Sequence, residues 1–127
     1  NISPTMIDEY PIIAIAASQA SSPSKFNGLK ELKHKESNRL NSISLNLKRC
    51  GIKNIIKNNN LTIYPSKNNQ NKVIKIDPKK DHRIAMSFAV MGMVYKHGIK
   101  IKDAEYINTS FPNFIEKINN IGANIFR

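Results

Sequence analysis

Several things are scarce in this chain. It has one cysteine, few acidic residues and no apolar stretch long enough to cross a bilayer. A lone Cys50 cannot close an intrachain disulfide, which favours a reducing, cytoplasmic setting. It stands just before Gly51 at an expected helix end, with no histidine or carboxylate at a motif spacing, so it reads as a structural thiol rather than a nucleophile. The longest apolar stretches are residues 11–17 and 84–95, the second broken by Ser87 and Gly92. Both fall short of the ~20 residues that a membrane-spanning helix needs, so no membrane partner is expected. No basic leader precedes the first expected helix, and no signal peptide is read. Also missing are a phosphate-cradling glycine loop, a metal-ligand cluster and a nucleophile elbow. No nucleotide, metal or other cofactor is therefore expected.

What is present is positive charge. Twenty Lys and Arg stand against 9 Asp and Glu in 127 residues, a formal net charge of +11. With 40% hydrophobic and 23% charged residues, the chain is globular in composition and long enough for one domain with a real core. Such a balance suits nucleic acid, or a phosphorylated substrate, or simply a surface of solvated lysines. The middle of the chain, from Lys25 to Lys57, is strongly basic, with only Glu31 and Glu36 opposing. Yet aromatic residues are not interleaved with these cations and no helix-turn-helix is apparent, so nucleic acid is not the favoured partner.

Periodicity predicts helices over residues 8–20, 35–49, 81–96 and 111–121. Asp8 or Thr5 can cap the first, with Pro11 in its first turn, and Leu40, Ile43, Leu45 and Leu47 line the second, which Gly51 stops. Asp81 caps the third, expected to end at Gly98; Pro112 and Gly122 bracket the fourth. Strands are expected over 25–32, 52–56, 61–64, 73–76, 99–101 with an extension toward 107, and 123–126. The run 57–60 reads as a hairpin turn and 67–72 as a polar loop. This alternation predicts one α+β domain with α/β-type repeats and helices packed on sheets. Comparable units recur at roughly thirty to forty residues, a spacing that suggests an internal repeat. The first helix is expected close to Asn1, as in a piece cut from a longer protein.

Three stretches place charge at helix starts. In Lys35-Glu36-Ser37-Asn38-Arg39, the two cations four apart share a helical face and call for a compensating anion, with Glu36 about 100° round the axis. A solvated first turn explains the same pattern. In Asp81-His82-Arg83, an arginine sits in a first turn against the helix dipole, as an anion site would place it, although a surface arginine would look alike. His82 reads as a hydrogen-bonded structural residue. In Met6-Ile7-Asp8-Glu9-Tyr10-Pro11, capping alone accounts for Asp8.

Taken in order, Ile7-Asp8-Glu9-Tyr10-Pro11, Gly28-Leu29-Lys30-Glu31-Leu32 running into Lys35-Glu36-Ser37-Asn38-Arg39-Leu40, Asp81-His82-Arg83-Ile84-Ala85-Met86-Ser87 and Thr109-Ser110-Phe111-Pro112 resemble successive signatures of the 5-enolpyruvylshikimate-3-phosphate (EPSP) synthases. The resemblance covers essentially the whole chain and implies a fold of two similar lobes, each of three βαβαββ units, with the active site between them. Residues 1–127 would be the C-terminal part of one lobe, about two units, with the N-terminal remainder elsewhere. It implies transfer of the carboxyvinyl group of phosphoenolpyruvate to the 5-hydroxyl of shikimate 3-phosphate, releasing phosphate, in the route to chorismate and aromatic amino acids. Carried over by motif, Asp8 is the base at that hydroxyl and helps to hold shikimate 3-phosphate. Glu36 supplies or relays the proton to the alkene carbon, and Lys35 binds shikimate 3-phosphate. Arg39 and Arg83 bind phosphoenolpyruvate. Densely placed cations would keep Asp8 ionised, as a base requires. The implied partners are the two small substrates and the N-terminal lobe, with the full-length enzyme a cytoplasmic monomer and this chain inactive alone.

The sequence departs from the family pattern at three points. Asn38 stands where aspartate is common, Thr109 where many relatives carry a lysine, and Glu31 where some carry an asparagine. A related transferase acting on a UDP-amino sugar shares the lobe architecture, but its motifs differ around Lys35–Arg39.

Overall fold

A computed structural model of the chain describes residues 9–34, 38–66, 73–93, 95 and 98–102. The expected loop 67–72, helix 111–121 and strand 123–126 lie outside the described residues, as do Asp8, Lys35, Glu36 and Thr109.

Helix α1 (Tyr10–Ser18) is shorter than the expected 8–20 and starts with Glu9 at its N-cap, which makes no side-chain capping bond. Pro11 sits in the first turn, where its missing N–H is no loss. Small residues let one side of the helix approach its neighbours closely: Ala14 and Ala17 are buried, and α1 packs against α3 (His82–Met91).

The strand expected over 25–32 is mostly not a strand. Strand β1 covers only Ser24–Phe26, and Gly28 at φ +73° turns the chain away. Asn60 Oδ1 accepts from the Gly28 N–H (3.0 Å) and the Asn59 carbonyl from the Leu29 N–H (2.9 Å). A 3₁₀ helix, Lys30–His34, follows. Leu29 and Leu32, three apart and both fully buried, have helical rather than alternating spacing, which is why the apolar content misled.

Helix α2 is Arg39–Arg49, not 35–49. Asn38, at φ −74° and ψ 84°, is non-helical and accepts from the Asn41 N–H (3.2 Å), so it is the cap. Asparagine and aspartate cap about equally well, so the departure from the family pattern at Asn38 leaves this helix start intact. Leu40, Ile43 and Leu47 are buried, whereas Leu45 is 55% exposed. Five residues beyond Leu40 is about 140° round the helix, so Leu45 belongs to the outer face. The helix closes in a Schellman arrangement: Ile52 N–H donates to the Leu47 carbonyl (2.9 Å) and Gly51 N–H, at φ +79°, to that of Lys48 (3.0 Å). That cap takes up Ile52, and strand β2 therefore begins at Asn54.

Strands β2 (Asn54–Lys57) and β3 (Asn60–Ile63) form the expected hairpin. Asn58 (φ 53°) and Asn59 (φ 61°) are both left-handed, as a two-residue type I′ turn demands. With β1 they make a three-stranded antiparallel sheet in the order β1-β3-β2.

Strand β4 (Ile74–Ile76) pairs in parallel with β5 (Ile99–Ile101), and α3 is the crossover between them. Helix α3 was expected to reach residue 96 but stops at Met91 with Gly92 at its C-cap. A Cβ at Gly92 would lie a tight 3.2 Å from the Ala89 carbonyl oxygen and an ordinary 3.7 Å from Ile99 Cβ, so β5 runs in contact with the helix end. One apolar core runs from Tyr10 and Ala14 through Leu40, Ile43 and Leu47 to Ile84 and Phe88. Tyr10 and Phe26 meet edge to face at 5.1 Å. Each such fully buried large side chain contributes about 1.5–3 kcal/mol.

Candidate functional site

The starts of α2 and α3 meet, and one carboxylate joins them. Asp81 Oδ1 accepts from the backbone N–H of Arg83 (3.0 Å), capping α3 as expected. Its Oδ2 accepts from Arg39 Nε at 2.7 Å, an ion pair across 42 residues in which the side chains are 1% and 0% exposed. Arg39 is the first residue of α2 and Arg83 the second of α3. Two helix N-termini, each a partial positive charge, thus converge beside two guanidinium-bearing residues. At this corner the anion that the α3 start and Arg39 Nε receive is Asp81 itself.

The segment delivering Asp81 is tightly held. Asn46 on α2 donates its amide to the Asp77 carbonyl (2.9 Å) and accepts from the Asp77 N–H (3.2 Å). Lys79 (φ 53°) and Lys80 (φ 58°) are both left-handed, and Asp81 N–H donates back to the Pro78 carbonyl (3.0 Å). Lysine in that region costs of order 1 kcal/mol per residue, so the surrounding bonds hold a strained turn in place. The Lys79 N–H bonded to Asp77 Oδ1 (3.0 Å) is the chief cause of a carboxyl pKa below the usual range at Asp77, opposed by slight burial.

The picture revises two expectations. The anion demanded by Arg39 is supplied, at its Nε, by Asp81 within the chain. Asn38 is not helical, so α2 begins at Arg39 rather than at residue 35, and Lys35 lies outside the described residues. Of the five expected site residues, Arg39 and Arg83 are brought to one corner; Asp8, Lys35 and Glu36 lie outside the described residues. Arg83 is half-buried, and its carbonyl accepts from Ser87 Oγ (2.7 Å). From the sequence, Asp81 is a cap and nothing more. Capping suffices to explain an aspartate before a helix, so its second bond leaves no mark in the sequence.

Cys50 is fully buried, and that burial pushes its thiol up to about 11, in keeping with a structural, protonated sulfhydryl. On the open face of the antiparallel sheet, Lys25, Ile55, Lys57, Thr62 and Tyr64 line a shallow depression of about 280 Å³. Lys53 Nζ lies 5.2 Å from the centre of the Tyr64 ring, so one aromatic does stand among the cations after all. Among the described residues there is no cluster of three or more potential metal ligands and no helix long and apolar enough to cross a membrane.

The architecture is that of an α+β segment of an enolpyruvyl transferase lobe. A solved EPSP synthase from Acinetobacter baumannii superposes with a TM-score of 0.85 at 35% identity, over 95% of this chain and 28% of that one. A second from the same organism gives 0.83 at 31% identity, over 98% and 29%. Residues 2–118 match the family described as EPSP synthase (3-phosphoshikimate 1-carboxyvinyltransferase). The chain belongs to that family. It is 41% identical over 122 residues to the 3-phosphoshikimate 1-carboxyvinyltransferase of Paramagnetospirillum magneticum, covering 96% of this chain and 27% of that protein. The Campylobacter jejuni protein of the same name is 43% identical over 120 residues, 94% of this chain and 27% of the relative. The chain therefore spans little more than a quarter of the length of the curated relatives it matches.

Proposed function

We propose that this chain forms the C-terminal part of one lobe, about two repeat units, of an enzyme that transfers the carboxyvinyl group of phosphoenolpyruvate to the 5-hydroxyl of shikimate 3-phosphate. The observation that carries the reading is the corner where Asp81 ties Arg39, at the start of α2, to the start of α3, which carries Arg83. In this reading Arg39 and Arg83 hold the carboxylate and phosphate of phosphoenolpyruvate, and Lys35 holds shikimate 3-phosphate. Asp8 takes the hydroxyl proton as oxygen attacks the substituted alkene carbon, and Glu36 delivers or relays a proton to the methylene, making it a methyl. Because the product keeps a vinyl group, loss of one methyl proton and of phosphate must follow. A base at the hydroxyl and an acid at the carbon are what such an addition needs, with fixed cations setting the geometry.

The N-terminal lobe supplies the remaining phosphate-binding groups, and the full-length enzyme acts as a monomer in the cytoplasm without a cofactor. Incubating the full-length protein with shikimate 3-phosphate and phosphoenolpyruvate tests the reading. Phosphate release with formation of the enolpyruvyl ether is expected, with negligible turnover by the 127-residue chain alone. Turnover of a UDP-amino sugar in place of shikimate 3-phosphate would assign the chain to the related cell-wall transferases instead.

A further inference from the structure

We infer that Asp81 is a positioning residue for phosphoenolpyruvate: one buried carboxylate sets Arg39 and the α3 start that carries Arg83 in fixed relation, and so selects for that substrate. The inference rests on the proposed roles of those two arginines. A guanidinium is a rigid planar fork, so a bond at Nε fixes the orientation of the whole plane. Asp81 makes that bond at 2.7 Å while its other oxygen holds the Arg83 N–H at 3.0 Å. It is itself fixed by the Asn46–Asp77 clasp and by the left-handed pair Lys79 and Lys80, so it has little freedom to follow a moving arginine. A planar carboxylate and a phosphate on one small molecule need two cations at a set separation and angle. A carboxylate bonded to both elements supplies that constraint.

Charge alone makes the opposite forecast. Asp81→Asn deletes a negative charge beside the anion seat, so by electrostatics only it would tighten phosphoenolpyruvate binding. Positioning requires weakening, because an amide has one accepting oxygen where the carboxylate has two: if that oxygen caps α3, the NH2 faces the Arg39 Nε–H, and the two bonds are no longer made together. Asp81→Glu separates the two further. It keeps the charge, but the extra methylene prevents one carboxylate from meeting both partners in their present places.

The test is steady-state kinetics of the full-length enzyme with each substrate varied in turn. Both Asp81→Asn and Asp81→Glu are expected to raise the KM for phosphoenolpyruvate by about tenfold or more while the KM for shikimate 3-phosphate changes by less than about twofold. Unchanged or lowered phosphoenolpyruvate KM in either folded variant would overturn the inference, as would equal changes for both substrates. Failure of both variants to fold would assign Asp81 to stability alone and equally overturn it. Absence of turnover in the unsubstituted enzyme refutes the proposed function. Normal turnover, with Arg83→Ala weakening phosphoenolpyruvate and the Asp81 variants indifferent, refutes only the positioning role.

Discussion

Replacing Asp81 by alanine removes two contributions whose sizes the structure separates. The first is the ion pair with Arg39, made at 2.7 Å between side chains 1% and 0% exposed. Deleting one member of such a pair takes a buried counter-charge from the other, at a cost of up to about 3–5 kcal/mol. The second is the α3 cap, the 3.0 Å bond to the Arg83 N–H, worth about 1 kcal/mol. Asp81→Ala should therefore destabilise by up to about 4–6 kcal/mol, and Asp81→Asn by about 1 kcal/mol less because asparagine still caps. Adding Arg39→Met to Asp81→Asn removes the buried cation as well, and should recover part of the loss. Urea midpoints of the full-length protein give the ranking, and hydrogen exchange at the Arg83 amide reports the cap separately. That amide should exchange faster in Asp81→Ala than in Asp81→Asn. The reasoning fails if Asp81→Asn costs less than about 1 kcal/mol, or if the double variant is no more stable than Asp81→Asn alone.

Three further outcomes can be checked by the same denaturation method. The Tyr10 hydroxyl is buried without a hydrogen-bond partner among the described residues, so Tyr10→Phe should stabilise by about 1 kcal/mol while keeping the edge-to-face contact with Phe26. Lys80→Gly relieves a left-handed lysine at φ 58° and should gain about 0.5–1 kcal/mol after the entropy of glycine is subtracted; a loss would mean that the lysine side chain holds the turn. Burial raises the Cys50 thiol to about 11, above its unfolded value near 9, so its contribution is intact below about pH 9 and is lost as pH rises toward 11. Cys50→Ala should flatten the fall in stability over that window by an amount on the order of 2 kcal/mol, and an unchanged slope would refute the assignment.

The parts of the fold governed by short-range rules were legible in the sequence. The Asn58-Asn59 turn, the Asp81 cap and the apolar face of Leu40, Ile43 and Leu47 each follow from a few neighbouring residues and stand as expected. Element ends were less legible where a long-range requirement overrode the local one. Helix α3 stops at Met91 so that Ile99–Ile101 can pair with β4 beneath Gly92, a constraint set by a strand on the far side of the crossover. The stretch from Leu29 to Leu32 is not a strand because Asn60 and Asn59, some thirty residues on, hold the N–H groups of Gly28 and Leu29 at its start. At the site, cations at helix starts could be picked out one stretch at a time. Their meeting could not, since the Asp81–Arg39 bond depends on how α2 and α3 pack and on nothing near either residue in the chain.

The proposed function turns on the corner formed by α2 and α3 seating phosphoenolpyruvate. Arg83→Ala in the full-length enzyme tests it most directly, with binding of each substrate measured by titration. The expected result is a loss of about 2–3 kcal/mol in phosphoenolpyruvate affinity, as for removing a charged hydrogen-bond donor, with shikimate 3-phosphate affinity nearly unchanged. Equal losses for both substrates, or none for phosphoenolpyruvate, would contradict it.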